Sequence, residues 1–123
     1  MEKSYQSSPL GQEISCVIGN IKKEILLNTE ALILELKKIL EQEGFKILDI
    51  ASHKFTPQGF TVFALLGESH ATIHTYPEYS SCYFSIYSCR GPTDAEKTFE
   101  KIKNYLGSEK IIFLNKNLIP VKK

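Results

Sequence analysis

Apolar residues recur at helical spacing in two stretches of the chain and at strand spacing in six. Between Asn28 and Gly44, the residues Leu32, Leu36, Ile39 and Leu40 share one helical face. Asn28 is placed to cap the start, Glu30 suits the positive end of the helix dipole, and Gly44 marks the stop. A second helix is predicted from the capping box Thr93-Asp94-Ala95-Glu96, with Ala95, Phe99, Ile102 and Leu106 on its apolar side and Gly107 at its end.

The remaining apolar runs are short. Ile14 to Gly19 reads as a strand, and so does the stretch from Phe45 to about Phe55. Thr56-Pro57-Gln58-Gly59 is a turn, and Phe60 to Leu66 is a β-branched and aromatic run. Gly67-Glu68-Ser69-His70 interrupts the apolar character, Ala71 to Tyr76 resumes it, and Pro77 ends it. Residues 81–89 alternate, with Cys82, Phe84 and Ile86 on one side and Tyr83, Ser85, Tyr87 and Cys89 on the other; Lys110 to Leu114 fits a last strand. The order β-α-β-β-β-β-α-β implies an α+β two-layer sandwich, an antiparallel sheet with two helices on one face. Residues 1–10 show neither period and are expected to form a flexible arm before a single domain over 11–123.

Composition narrows the function classes. Fifteen Lys+Arg against fourteen Asp+Glu leave a formal charge of +1, too little to gather nucleic acid, and no apolar run approaches the roughly 20 residues that cross a bilayer. A small-molecule or protein partner is expected, with no nucleic acid and no membrane. Cys16, Cys82 and Cys89 are odd in number and lack CxxC spacing, and no secretory leader pattern precedes them, which points to reduced thiols in the cytoplasm.

Strand parity then collects candidate chemistry. If helices cover the Ile73, Phe84 and Ile86 side, His74 and Cys89 look the other way, together with Tyr76, Tyr83, Tyr87, Thr61 and Phe63. A thiol, an imidazole and several rings on one surface suggest a pocket, although buried cysteines and exposed sheet tyrosines are common without one. Zinc on His70, His74 and Cys89 is disfavoured, because two histidines four apart in an extended segment stand about 13 Å from each other. A Cys-His nucleophilic pair stays open at this stage, but it leaves the polar insertion at residues 67–70 unexplained.

Glu68-Ser69-His70-Ala71-Thr72-Ile73-His74-Thr75-Tyr76-Pro77-Glu78-Tyr79, the upstream His53-Lys54-Phe55-x-Pro57-x-Gly59, and a cysteine twenty residues after Ser69 together resemble the prokaryotic S-adenosylmethionine decarboxylase proenzymes. The likeness runs from about Asn28 to Leu114. It implies self-cleavage between Glu68 and Ser69, into 1–68 and 69–123, leaving a covalent pyruvoyl group derived from Ser69 that serves as the electron sink pyridoxal supplies elsewhere. On this resemblance His74 is the base of processing, Thr61 supports the processing oxyanion, and Cys89 is the proton donor in decarboxylation. Phe55 and Tyr76 would stack on an adenine, and Glu78 would accept from ribose hydroxyls.

The same resemblance implies a homodimer whose sheets face each other, and a product that donates aminopropyl groups for spermidine. No metal is implied. Tyr76 stands where the family carries tryptophan, Ser85 where it carries aspartate and Arg90 where it carries glycine. These departures keep open a pyruvoyl-dependent L-ornithine or L-arginine decarboxylase on the same scaffold, and an uncut, non-catalytic regulatory relative.

Overall fold

The computed structural model describes residues 7–122. Six strands form one antiparallel sheet in the order β2-β3-β4-β5-β1-β6. They are β1 (Leu10–Ile18), β2 (Ile47–Lys54), β3 (Phe60–Leu66), β4 (Ser69–Tyr76), β5 (Ser81–Ser88) and β6 (Ile111–Pro120). The helices are α1 (Lys23–Leu27), α2 (Thr29–Gln42) and α3 (Glu96–Leu106), with a single 3-10 turn at Pro77–Tyr79.

The alternation read from the sequence sets the two layers. Ile14, Phe84, Ile86, Val62, Ala64, Ala71 and Ile73 are buried on one side of the sheet, against Leu32, Leu36, Ile39 and Leu40 of α2 and Phe99, Ile102 and Leu106 of α3. Full burial of each such aliphatic or aromatic side chain is worth roughly 1.5–3 kcal/mol, so this layer is the main source of stability. Among the described residues, the other side of the sheet carries no helix. There Phe63, Leu65 and Phe113 remain 38%, 45% and 48% exposed.

Asn28 caps α2 as expected, its side-chain oxygen accepting the Ala31 N–H at 3.2 Å. Thr93 does not cap α3, which starts only at Glu96, with Ala95 at the cap position. Instead Gln12, buried in β1, accepts the Ala95 N–H at 2.9 Å and donates to Glu96 at 3.2 Å. A side chain from the neighbouring layer has replaced the local cap.

Three boundaries differ from the periodicity. β1 begins at Leu10, which pairs with Pro120, and the Pro9 carbonyl accepts the Val121 N–H, so the arm expected over 1–10 is ordered at its inner end. The rest of that expectation, residues 1–6, lies outside the described residues. β4 starts two residues early, at Ser69, because Gly67-Glu68 is the whole turn of the β3–β4 hairpin and Leu66 pairs directly with Ser69. β6 continues past Leu114 to Pro120, since an edge strand tolerates both a polar stretch and a proline.

Candidate active site

The turn that joins β3 to β4 is tight and carries the first part of the site. Its left-handed residue is Glu68, with φ 53°, although a glycine stands next to it. A non-glycine side chain in that region costs of order 1 kcal/mol and persists only where its surroundings hold it. The next residue, Ser69, is 5% exposed. Its hydroxyl oxygen accepts the Cys89 N–H at 3.0 Å, and its O–H lies 3.4 Å from Cys89 Sγ. Cys89 Sγ in turn reaches the Gly67 carbonyl at 3.6 Å. Glu68, Ser69 and Cys89 thus converge at one end of the sheet.

Cys89 does not share the open side with His74, as strand parity had suggested. β5 ends at Ser88, the backbone bends there, and the thiol turns inward to Ser69. Parity holds only while pairing continues. Arg90 braces the bend: its Nε donates to Asp94 at 2.7 Å, a second nitrogen donates to the Glu43 carbonyl at 2.8 Å, and its guanidinium lies 3.6 Å above the Phe45 ring. The opposite charges at 90 and 94 are the sequence signal that points to this clamp.

The remaining candidates collect at the far end of the same strand. Thr61 pairs with His74 across β3 and β4, and Thr61 Oγ1 lies 2.7 Å from His74 Nδ1. The Tyr83 ring stands 5.7 Å from the imidazole on the other side. Burial holds the His74 pKa below its ordinary value, so the neutral ring is the form present at neutral pH. Phe55, Thr61, His74, Tyr76 and Glu78 all line one open cleft of about 490 Å³. Gln58, from the turn after β2, completes the wall without having been singled out by any motif.

His70 and His74 both face the open side of β4, four residues apart in a strand, and Cys89 is turned away from them. Among the described residues no group of three or more His, Cys, Asp or Glu side chains could hold a metal ion. Cys16 and Cys82 are core thiols whose pKa burial raises, that of Cys16 to about 11, and neither borders the cleft or Ser69.

Within one chain the two clusters stay apart. Ser69 and His74 are five residues apart on a strand that rises about 3.3 Å per residue, hence roughly 16 Å from each other. An odd separation also puts their side chains on opposite faces, as their burial reflects: Ser69 lies on the helix-covered side and His74 on the open one.

Comparisons with known proteins place most of the chain beside one family. The sequence profile of the S-adenosylmethionine decarboxylase family matches residues 13–115. The chain is 32% identical over 102 residues to an S-adenosylmethionine decarboxylase proenzyme of Thermosipho melanesiensis, covering 83% of this chain and 78% of that protein. It is 36% identical over 99 residues to a proenzyme of the same name from Pyrobaculum islandicum, covering 77% and 79%. In fold it is similar to the crystal structure of the adenosylmethionine decarboxylase from Aquifex aeolicus, with a TM-score of 0.78 at 21% identity over 93% of this chain and 92% of that one. With residues 13–115 matched by the family profile and relatives 32% and 36% identical over more than three quarters of its length, the chain belongs to the S-adenosylmethionine decarboxylase family of pyruvoyl-dependent carboxy-lyases.

Proposed function

We propose that the chain cuts itself between Glu68 and Ser69 and then, as a homodimer, decarboxylates S-adenosylmethionine to yield an aminopropyl donor for spermidine synthesis. The observation that carries the reading is the environment of Ser69: a buried hydroxyl, held by the Cys89 N–H directly after a left-handed residue.

Attack of Ser69 Oγ on the Glu68 carbonyl closes a five-membered ring. The Oγ–C bond forms, the C–N bond breaks, and the hydroxyl proton passes to the nitrogen, leaving an ester. Removal of the Ser69 α-proton then expels the Glu68 carboxylate, and water replaces the nitrogen as ammonia. The pyruvoyl carbonyl so left at residue 69 supplies an electron sink for the substrate's α-amine and departing carboxylate. Ser69 fits this role, because the contacts on its oxygen come from Cys89, just past the end of the neighbouring strand, and leave its own backbone on the turn.

The base is harder to place within one chain, since the His74 of the same chain is on the opposite face and roughly 16 Å away. A two-fold axis that runs two β4 strands antiparallel brings the His74 end of each subunit toward the Ser69 end of the other. Such an isologous interface yields two equal sites. The uncovered side of the sheet, with Phe63, Leu65 and Phe113 partly exposed, is the apolar surface that this pairing would bury.

In the imidazole tautomer that donates Nδ1–H to Thr61 Oγ1, the lone pair resides on Nε2 and can take the α-proton. Thr61 keeps its own O–H for donation to the oxyanion of the acyl shift. Across the same cleft Phe55 and Tyr76 offer faces for an adenine and Glu78 an acceptor for ribose hydroxyls. Cys89, beside residue 69, is placed to return a proton to the decarboxylated α-carbon.

Intact mass tests the reading directly. The wild-type chain should give a fragment of residues 1–68 and one that begins with a carbonyl at position 69, reactive toward hydrazines, whereas Ser69→Ala should remain whole. Carbon dioxide should be released from S-adenosylmethionine. Release from arginine or ornithine alone, or an uncut wild-type chain, would overturn it.

A further inference from the structure

The described part of the amino-terminal arm lies against the two residues that flank the Ser69 hydroxyl. Ser7 Oγ donates to the Glu68 carboxylate. The Ser8 N–H donates to the Cys89 carbonyl at 3.0 Å, and Ser8 Oγ accepts the Leu10 N–H at 3.2 Å. One residue on, the Pro9 carbonyl takes the Val121 N–H at 3.0 Å, which fixes the arm to the end of β6. The arm residues Ser7, Ser8 and Pro9, and Val121 to which the arm is fixed, fall outside residues 13–115, the span shared with the family profile.

We propose that Ser7–Pro9 is a strap that sets the rate of self-cleavage, with Ser7 as a positioning residue. The inference rests on the reading that the 68–69 bond is the one cut. Glu68 owns the carbonyl to be attacked, and its left-handed φ of 53° is a conformation that an unrestrained glutamate leaves readily. Ser7 tethers that residue by its carboxylate. Cys89 holds the attacking oxygen through its N–H, and Ser8 tethers Cys89 by its carbonyl.

Electrophile and nucleophile are therefore anchored to two consecutive residues, and a small error in their relative placement costs rate steeply. No external reactant is needed: the strap only holds the groups between which one C–O bond forms and one C–N bond breaks. It is made from outside the sheet proper, so it can be removed without disturbing the core.

A time course of the full chain made by cell-free translation tests this, with the 69–123 fragment followed by mass. Ser7→Ala should cleave about tenfold more slowly, the scale of one charge-assisted hydrogen bond. Ser7→Thr, which keeps the hydroxyl, should recover the wild-type rate to within about twofold, and Ser8→Pro, which removes the N–H, should be slowed at least as much as Ser7→Ala. On the Ser69→Ala background the unfolding midpoint of Ser7→Ala should match that of its parent. Cleavage of Ser7→Ala at the wild-type rate, equal slowing in Ser7→Thr, or slowing that tracks a lowered unfolding midpoint would each overturn the strap. An uncut wild-type chain is a separate result: it removes the processing reaction itself, whatever residue 7 is.

Discussion

At the Ser69 end of β4 a hydroxyl is buried against Cys89 beside a closed turn, whereas at the Tyr76 end half-exposed rings stand around an open cleft. The first end holds the two groups that an N-to-O acyl shift would join, because the oxygen and the carbonyl belong to adjacent residues. The second holds a base, an orienting hydroxyl and aromatic walls, but the α-proton that the base would take is roughly 16 Å away in the same chain. On the proposed reading, one end is a reaction centre without a base, and the other is a base with a binding surface and nothing to act upon. That complementarity is the physical reason for expecting a second copy.

The largest effect should come from separating the two ends genetically. His74→Ala alone is expected to stay almost wholly uncut, as is Ser69→Ala. Co-expressed and randomly paired, they form mixed dimers in which the Ser69 of one chain meets the His74 of the other. About half of the His74→Ala chains should then be cleaved, as read by intact mass, since half of the dimers are mixed. If both residues act within one chain, the mixture stays uncut.

The closed end can be divided further. Cys89 contacts Ser69 by its N–H and by its thiol, and only the thiol is lost in Cys89→Ala. This variant should still process, while decarboxylation per carbonyl falls about a hundredfold, the usual worth of a positioned general acid. Failure to process at all would mean that the thiol, not the backbone, holds the attacking oxygen. At the open end Tyr76→Ala should raise KM about fivefold with little change in cleavage, the scale of one aromatic stacking contact.

How much of this was legible in the sequence follows from the range of each interaction. The buried faces of α2 and α3 and the alternation in β5 were readable, because helix and strand periods are fixed by the local backbone. The cap of α3 was misplaced at Thr93, since its actual acceptor, Gln12, is 83 residues from Ala95 in the chain. Strand parity puts Cys89 on the open side, but pairing ends one residue before it, at Ser88. The left-handed turn residue could not be read either: beside a glycine, a glutamate is the less expected choice. The separation of Ser69 from His74 becomes readable only once β4 is known to start at Ser69 and not at Ala71, because an odd spacing puts side chains on opposite faces only while pairing continues.

The smallest effect concerns pH. Burial lowers the pKa of His74 below the ordinary 6.5, and the imidazole must be neutral to accept a proton. Processing should therefore keep its plateau to lower pH than an ordinary imidazole would allow, with its midpoint below 6.5, and fall as the ring becomes protonated. The cause is desolvation and not the bond to Thr61, so Thr61→Val should lower the plateau while leaving the midpoint below 6.5. A partner sheet packed over the open face would exclude more water and push the midpoint further down; Glu78 in the same cleft, when ionised, would pull it up. The titration of the His74 ring itself, followed by NMR in uncut Ser69→Ala protein at concentrations above and below dimer dissociation, measures this balance, since separated chains would not process. A midpoint that is the same at both would mean that the partner does not cover His74, and the sharing of the site between two subunits would have to be abandoned.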